Sequence, residues 1–211
     1  MTAPSDTCSP NRIQPFILAI ILACALVLFS GNNAQARVQI ASGALHSAAL
    51  KPDGTVWTWG HNYFGQLGNG TTVDANVPVQ VSGLTAVTAI GVGGSHTVAL
   101  KQDGTVWTWG RNEDGQLGNG TSTNASAPGP VSGLTDVAAV AAGAFHTVAL
   151  KKDGTLWAWG LNEDGQLGNG TTVSTSEPVP VVGLTDVAAV AAGFYHTAAL
   201  KRDGTVWTWG Y

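Results

Sequence analysis

The stretch Trp159-Gly160-Leu161-Asn162-Glu163-Asp164-Gly165-Gln166-Leu167-Gly168 decides the architecture. The same string stands at 109–118, with Arg111 in place of the leucine, and at 59–68, where it reads His61-Asn62-Tyr63-Phe64 after Trp-Gly. Its opening returns once more as Trp209-Gly210. Upstream of each copy lies Lys-x-Asp-Gly, beginning at Lys51, Lys101, Lys151 and Lys201. The spacing is fifty residues each time, with no insertion or deletion. A fixed internal period of this size marks a solenoid, a propeller or an array. The units run 37–86, 87–136 and 137–186, with a partial fourth at 187–211.

Within one unit no apolar pattern has a helical period bounded by caps. Four short extended runs are expected instead, at 137–143, 146–151, 155–159 and 178–182 in the third unit. Four antiparallel strands make a propeller blade. The expected fold is all-β: a β-propeller of fifty-residue, four-stranded blades, with three and a half units present. The hairpin between the second and third strands admits two registers. A two-residue Asp-Gly turn would need a backbone N–H at position 52, which Pro52 lacks. A three-residue loop, with glycine at positive φ, avoids this and is preferred. It pairs Lys101 with Thr105, Ala99 with Trp107 and Thr97 with Trp109, small against large.

Gly143-x-x-His146-Thr147-x-Ala149-Leu150, then Asp153-Gly154, then Trp159-Gly160-x-Asn162-x-x-Gly165-Gln166-Leu167-Gly168, then Pro178 resembles the regulator of chromosome condensation repeat. The resemblance covers 37–211 in every copy. Kelch units share the period, but the paired glycines expected there occur only at Gly93-Gly94. The resemblance implies a seven-bladed propeller. The chain is shorter than that, so a fragment of a longer frame is expected, and a remnant without function is the alternative. A last blade lacking its fourth strand would leave an open edge suited to self-association.

Composition narrows the function. Of 211 residues only 10% are charged, 44% are hydrophobic, and 9 Lys+Arg against 13 Asp+Glu leave a net charge of −4. That excludes a disordered chain and gives no basic patch for nucleic acid. Arg12, the apolar run 16–29 and Ala34-Gln35-Ala36 are the three parts of an export signal, so 1–36 is read as a signal peptide. The run is short for a bilayer span, and no membrane span is expected after cleavage. An uncleaved anchor is the alternative. Both cysteines, Cys8 and Cys24, fall inside this segment, so the mature chain would carry none. A secreted or periplasmic location follows as the expectation.

Repetition argues against chemistry. His46, His96, His146 and His196 sit one per blade, too far apart to share an ion, so a blade histidine bonded to backbone is the expectation. Asp103, Asp153 and Asp203 are explained as turn residues before glycine. Asn69, Asn119, Asn169 and Asn124 begin glycosylation sequons, though the first three also fit a repeated glycine turn. The loop 166–170 lacks the lysine of a phosphate loop. No catalytic residue, metal site or cofactor is expected, and no enzymatic activity.

The informative positions are those where the copies differ. Leu45, Phe145 and the pair Phe194-Tyr195 precede the histidines. His61, Arg111 and Leu161 follow Trp-Gly, and Tyr63-Phe64 stand where Glu113-Asp114 and Glu163-Asp164 stand in later copies. In an antiparallel blade the first turn and the long third loop share one end, so these residues should share one propeller face. The long loop itself invites a functional reading. A non-catalytic binding scaffold for an unidentified protein is therefore the leading expectation. The resemblance supports it, since some secreted proteins with similar repeats inhibit β-lactamases. By resemblance, nucleotide exchange on a small GTPase is the alternative. A glycan partner is the third reading, suggested by the exposed aromatics. If the export reading holds, the secreted chain begins at Arg37; N-terminal sequencing that finds another start overturns the cleavage site.

Overall fold

The computed structural model describes residues 38–211; the expected signal peptide lies outside them. The described residues form four antiparallel sheets in chain order. The first holds β1 (Gln39–Ser42), β2 (His46–Leu50), β3 (Val56–Gly60) and β4 (Ala75–Gln80). The second holds β5 (Val87–Val92), β6 (His96–Lys101), β7 (Val106–Gly110) and β8 (Ala125–Pro130). The third holds β9 (Val137–Ala142), β10 (His146–Lys151), β11 (Leu156–Gly160) and β12 (Thr175–Pro180). The fourth has three strands: β13 (Val187–Ala192), β14 (His196–Lys201) and β15 (Val206–Gly210). The first strands of successive sheets pack on one another, so β1, β5, β9 and β13 line the inside of the arc. These are propeller blades.

The hairpin adopts the three-residue register. Lys101 N–H donates to the Thr105 carbonyl, Gly104 N–H donates to the Lys101 carbonyl, and Gly104 has φ +82°. Ala99 faces Trp107 and Thr97 faces Trp109. The fourth strand departs from expectation: it starts at Thr175, three positions before the expected Pro178. Gly160 pairs with Thr175, and the register then shifts before Ala158 pairs with Val179. The shift takes up Pro178, which has no N–H to give a ladder and is tolerated on this outer strand.

The hydrophobic core lies between blades. Leu50, Val56, Val81 and Leu84 of the first blade pack with Ile90, Ala99 and Trp109 of the second. The second and third blades meet around Val98, Leu100, Ala149 and Trp159. The third and fourth meet around Leu156, Leu167, Ala199 and Trp209. Burying one tryptophan in this way contributes about 5 kcal/mol of hydrophobic free energy before entropy is set against it. Where no neighbouring blade covers them, apolar residues are exposed: Val38 and Ile40 at one end, Leu200, Val206 and Trp207 at the other. The expectation of self-association rests on the open edge of the fourth sheet, where β15 has no further strand among the described residues.

Hydrogen bonds set the register that burial alone leaves free. The Gln66 carbonyl accepts from the indole N–H of Trp109 at 2.9 Å and from the Thr97 hydroxyl at 2.9 Å, both from the next blade. Gln116 does the same for Trp159 and Thr147, and Gln166 for Trp209 and Thr197. Because the Thr97 proton is committed to that carbonyl, His46 Nε2–H donates to Thr97 Oγ1, at 2.8 Å. His96 reaches Thr147 and His146 reaches Thr197, each at 3.0 Å. The histidines thus bond to a side chain of the next blade, which corrects the expectation of a backbone partner. Glycine is required at Gly68: its φ is +67°, and a Cβ there would stand 2.6 Å from Trp109 Nε1.

Burial pushes the three bridging histidines down, His46 and His96 to about 3 and His146 to about 4. Smaller contributions come from His61 on His46, from His46, His146 and Arg111 on His96, and from His196 on His146. An unfolded histidine titrates near 6.5. Below that pH the unfolded chain binds more protons, so stability falls as pH falls, by up to about 1.4 kcal/mol per unit for each ring. The loss runs from pH 6.5 down to the folded values. His96→Gln keeps an N–H donor for Thr147 and removes one titration, so its acid limb is expected to be shallower by about a third. Urea unfolding between pH 7 and 5 measures this; a stability independent of pH in that window contradicts the neutral-histidine bridge.

Candidate functional site

The divergent residues converge at one end of the blades. Each long loop is tied to the first turn of its own blade by a backbone bond: His61 N–H to the Leu45 carbonyl, Arg111 to Ser95, Leu161 to Phe145 and Tyr211 to Tyr195. The loop behind is rigid because one asparagine organises it. Asn62 Nδ2 donates to the Thr71 and Val73 carbonyls, both at 3.0 Å, and its Oδ1 accepts from Leu67 N–H at 2.9 Å. Asn112 and Asn162 repeat this set. The loop's length is therefore accounted for structurally, which the sequence reading missed.

On this frame the side chains form a continuous arc. Tyr63 meets Phe64 edge-on, with ring centroids 4.9 Å apart. The Arg111 guanidinium lies 5.7 Å from the Phe64 centroid and 4.9 Å from the Phe145 centroid, bridging three blades. Phe145 packs against Phe194 and Tyr195, each at 5.6 Å. Arg111 is held further by Glu113, at 2.9 Å, and Asp114, at 3.3 Å. Tyr63 is 71% exposed and Phe194 52%. Leu45 is exposed beside the arc without an aromatic partner. The structure thus brings Tyr63, Phe64, Arg111, Phe145, Phe194 and Tyr195 together.

His61 extends the arc, its ring stacked on Tyr63 with centroids 6.4 Å apart, and it has a second part to play. His61 Nδ1 meets the side-chain nitrogen of buried Gln66 at 3.0 Å. The equivalent Gln116 and Gln166 accept a backbone N–H through Oε1, from Asp114 and Asp164, which fixes their amide orientation. Their Nε2 atoms are buried and have no partner among the protein's own atoms. The position that caps Gln66 is occupied by Arg111 and Leu161 in these blades, and neither offers an acceptor.

The other candidates resolve as structure. Asp53, Asp103, Asp153 and Asp203 each accept from the hydroxyl and N–H of the threonine two residues on. Those bonds hold the carboxyls below the usual range. Asn69, Asn119 and Asn169 make the same kind of turn with Thr71, Thr121 and Thr171. Among the described residues no group of three His, Cys, Asp or Glu is placed to hold a metal, and no helix is long and apolar enough to cross a membrane. An open groove of about 370 Å³ at the opposite end is lined by Lys151, Asp153, Trp157 and Pro180, and none of the arc residues reaches it.

Repeated blades, bridged at fixed spacing and carrying variable loops at one end, define a propeller scaffold. The chain belongs to the RCC1-like domain family, whose profile matches residues 22–211. It is similar to the human E3 ubiquitin-protein ligase HERC2, 40% identical over 65 residues that make up 30% of this chain and 1% of that protein. It is also similar to the ultraviolet-B receptor UVR8 of Arabidopsis thaliana, 49% identical over 43 residues, 20% of this chain and 10% of that protein. Among solved structures, human WBSCR16 superposes with a TM-score of 0.74 at 30% identity, over 82% of this chain and 48% of that one. Yeast RCC1 (Prp20), solved with Kap60 bound, gives 0.72 at 26% identity, over 88% and 45%. The chain spans less than half the length of these relatives.

The uncapped glutamines yield a direct test. Leu161→His should supply Gln166 with the acceptor that Gln66 already has, raising stability by about 1 kcal/mol in urea unfolding. A destabilised variant would show that the carboxamide is satisfied in another way.

Proposed function

We propose that the chain is an exported, non-catalytic scaffold that binds another protein through the aromatic arc at the loop end of its blades. The observation that carries this reading is the bridging of Phe64, Arg111 and Phe145 across three blades beside exposed Tyr63 and Phe194. Aromatic residues and arginine are enriched in interface hot spots, and a rigid support lowers the entropy lost on binding. Solved relatives support protein binding: yeast RCC1 (Prp20) is seen with Kap60, and Prp20p was studied for binding to Gsp1p and histones. The sequence features of an export signal support a secreted or periplasmic site of action. That location disfavours the alternative, exchange of nucleotide on a small GTPase. A glycan partner has weaker support, because the arc stacks its aromatic rings largely on one another and on Arg111.

The test is capture of protein partners from the producing organism by immobilised chain. Phe145→Ala with Tyr195→Ala should reduce capture about thirtyfold, the loss expected from one hot spot of 2 kcal/mol, with circular dichroism unchanged. Undiminished capture by the folded double variant overturns the arc as the binding face.

A further inference from the structure

The charges of the chain are segregated between the two ends of the blades. Among the described residues, Lys51, Lys101, Lys151, Lys152, Lys201 and Arg202 all sit at the hairpins of the second and third strands. Each hairpin also carries an aspartate, so that end is mixed in sign. At the loop end Arg111 is the one lysine or arginine among the described residues, against Glu113, Asp114, Glu163 and Asp164. Arg111 is already engaged by Glu113 and Asp114. Glu163 and Asp164 are exposed and make no ion pair within the described residues. They adjoin the arc, since Leu161 of the same loop is bonded to Phe145.

A second observation at the same place is a buried N–H donor that wants an acceptor, which a peptide segment's main-chain carbonyl offers and its Lys or Arg does not. Gln166 is fully buried, its Oε1 accepts from Asp164 N–H, and its Nε2 lies unpaired at the position that His61 caps in the first blade. Gln116 repeats this under Asp114. The chain holds a simple solution to this cost in one blade and forgoes it in two, at the positions where the copies diverge.

We propose that this face, if it binds protein as argued above, takes a basic segment of its partner. The segment presents Lys or Arg to Glu163 and Asp164, and an apolar or aromatic side chain to Phe145, Phe194 and Tyr195. Charge complementarity selects the segment, and the arc anchors it. An acidic segment is repelled by four carboxylates around a single engaged arginine.

The experiment is panning a displayed library of random dodecapeptides on the folded chain, then measuring enriched peptides by fluorescence anisotropy. The enriched pool should be rich in Lys or Arg together with Phe, Leu or Trp. Affinity should fall about twofold to fivefold for each of Glu163→Gln and Asp164→Asn, the worth of exposed ion pairs, and should weaken with added salt. Asp103→Asn with Asp153→Asn, at the opposite end, keeps the turn acceptors and should leave affinity unchanged. An acidic or neutral pool that depends on Phe145 and Tyr195 overturns the basic segment and leaves the arc as the binding face. A basic pool indifferent to Phe145→Ala and Tyr195→Ala overturns both. A library that yields no enriched pool overturns the proposal.

Discussion

At each interface one backbone carbonyl takes two donors from the next blade, alongside main-chain bonds such as Gly70 N–H to the Ser126 carbonyl and Gly120 N–H to the Ser176 carbonyl. The Gln66, Gln116 and Gln166 carbonyls each receive a tryptophan indole and a threonine hydroxyl from the following blade. Burial of a tryptophan and of the aliphatic side chains around it supplies the free energy of each interface, but burial is non-directional. The paired donors convert it into a fixed register, because a slipped blade would leave an indole N–H, a hydroxyl and an imidazole N–H unpaired in the interior, each at a cost of about 1–3 kcal/mol.

This constraint divides the repeat into two kinds of position. Asp74, Asn124 and Ser174 differ in type, yet each accepts the N–H of its loop asparagine. Variation there conserves the bond and carries no information about binding. His61, Arg111 and Leu161 also differ, but only His61 satisfies the glutamine beside it. Stability does not explain the latter exchange. Arg111 instead spans from Phe64 to Phe145, so a residue that gives up a local bond gains contacts in three blades. The arc is rigid because its loops hang from the bridged strands.

Much of this was legible in the sequence. The period, the all-β class, the hairpin register and the grouping of divergent residues at one end all follow from repetition, Pro52 and antiparallel geometry. Three features were not. The start of the fourth strand was misplaced because Pro178 reads as a strand entry, whereas the register shift tolerates it three residues further in. The histidine's partner was missed because it stands fifty-one residues away, although a hydroxyl follows the histidine in every copy, at Ser47, Thr97, Thr147 and Thr197. The loop asparagine was seen as part of a motif, but its bonds to carbonyls nine and eleven residues on depend on a fold that no local pattern encodes.

The measurement that bears most directly on the carbonyl bridge is indole hydrogen exchange, followed by NMR for each of the eight tryptophans. Trp109 and Trp159 are fully buried and bonded to a carbonyl of the preceding blade. They should exchange only through global unfolding, with protection equal to the unfolding free energy. Trp57 is only partly buried and bonds to Thr55, two residues before it, so it should exchange orders of magnitude faster. If Trp109 and Trp159 exchange as fast as Trp57 in the folded chain, the blades are not locked by this bridge, and the rigidity attributed to the arc falls with it.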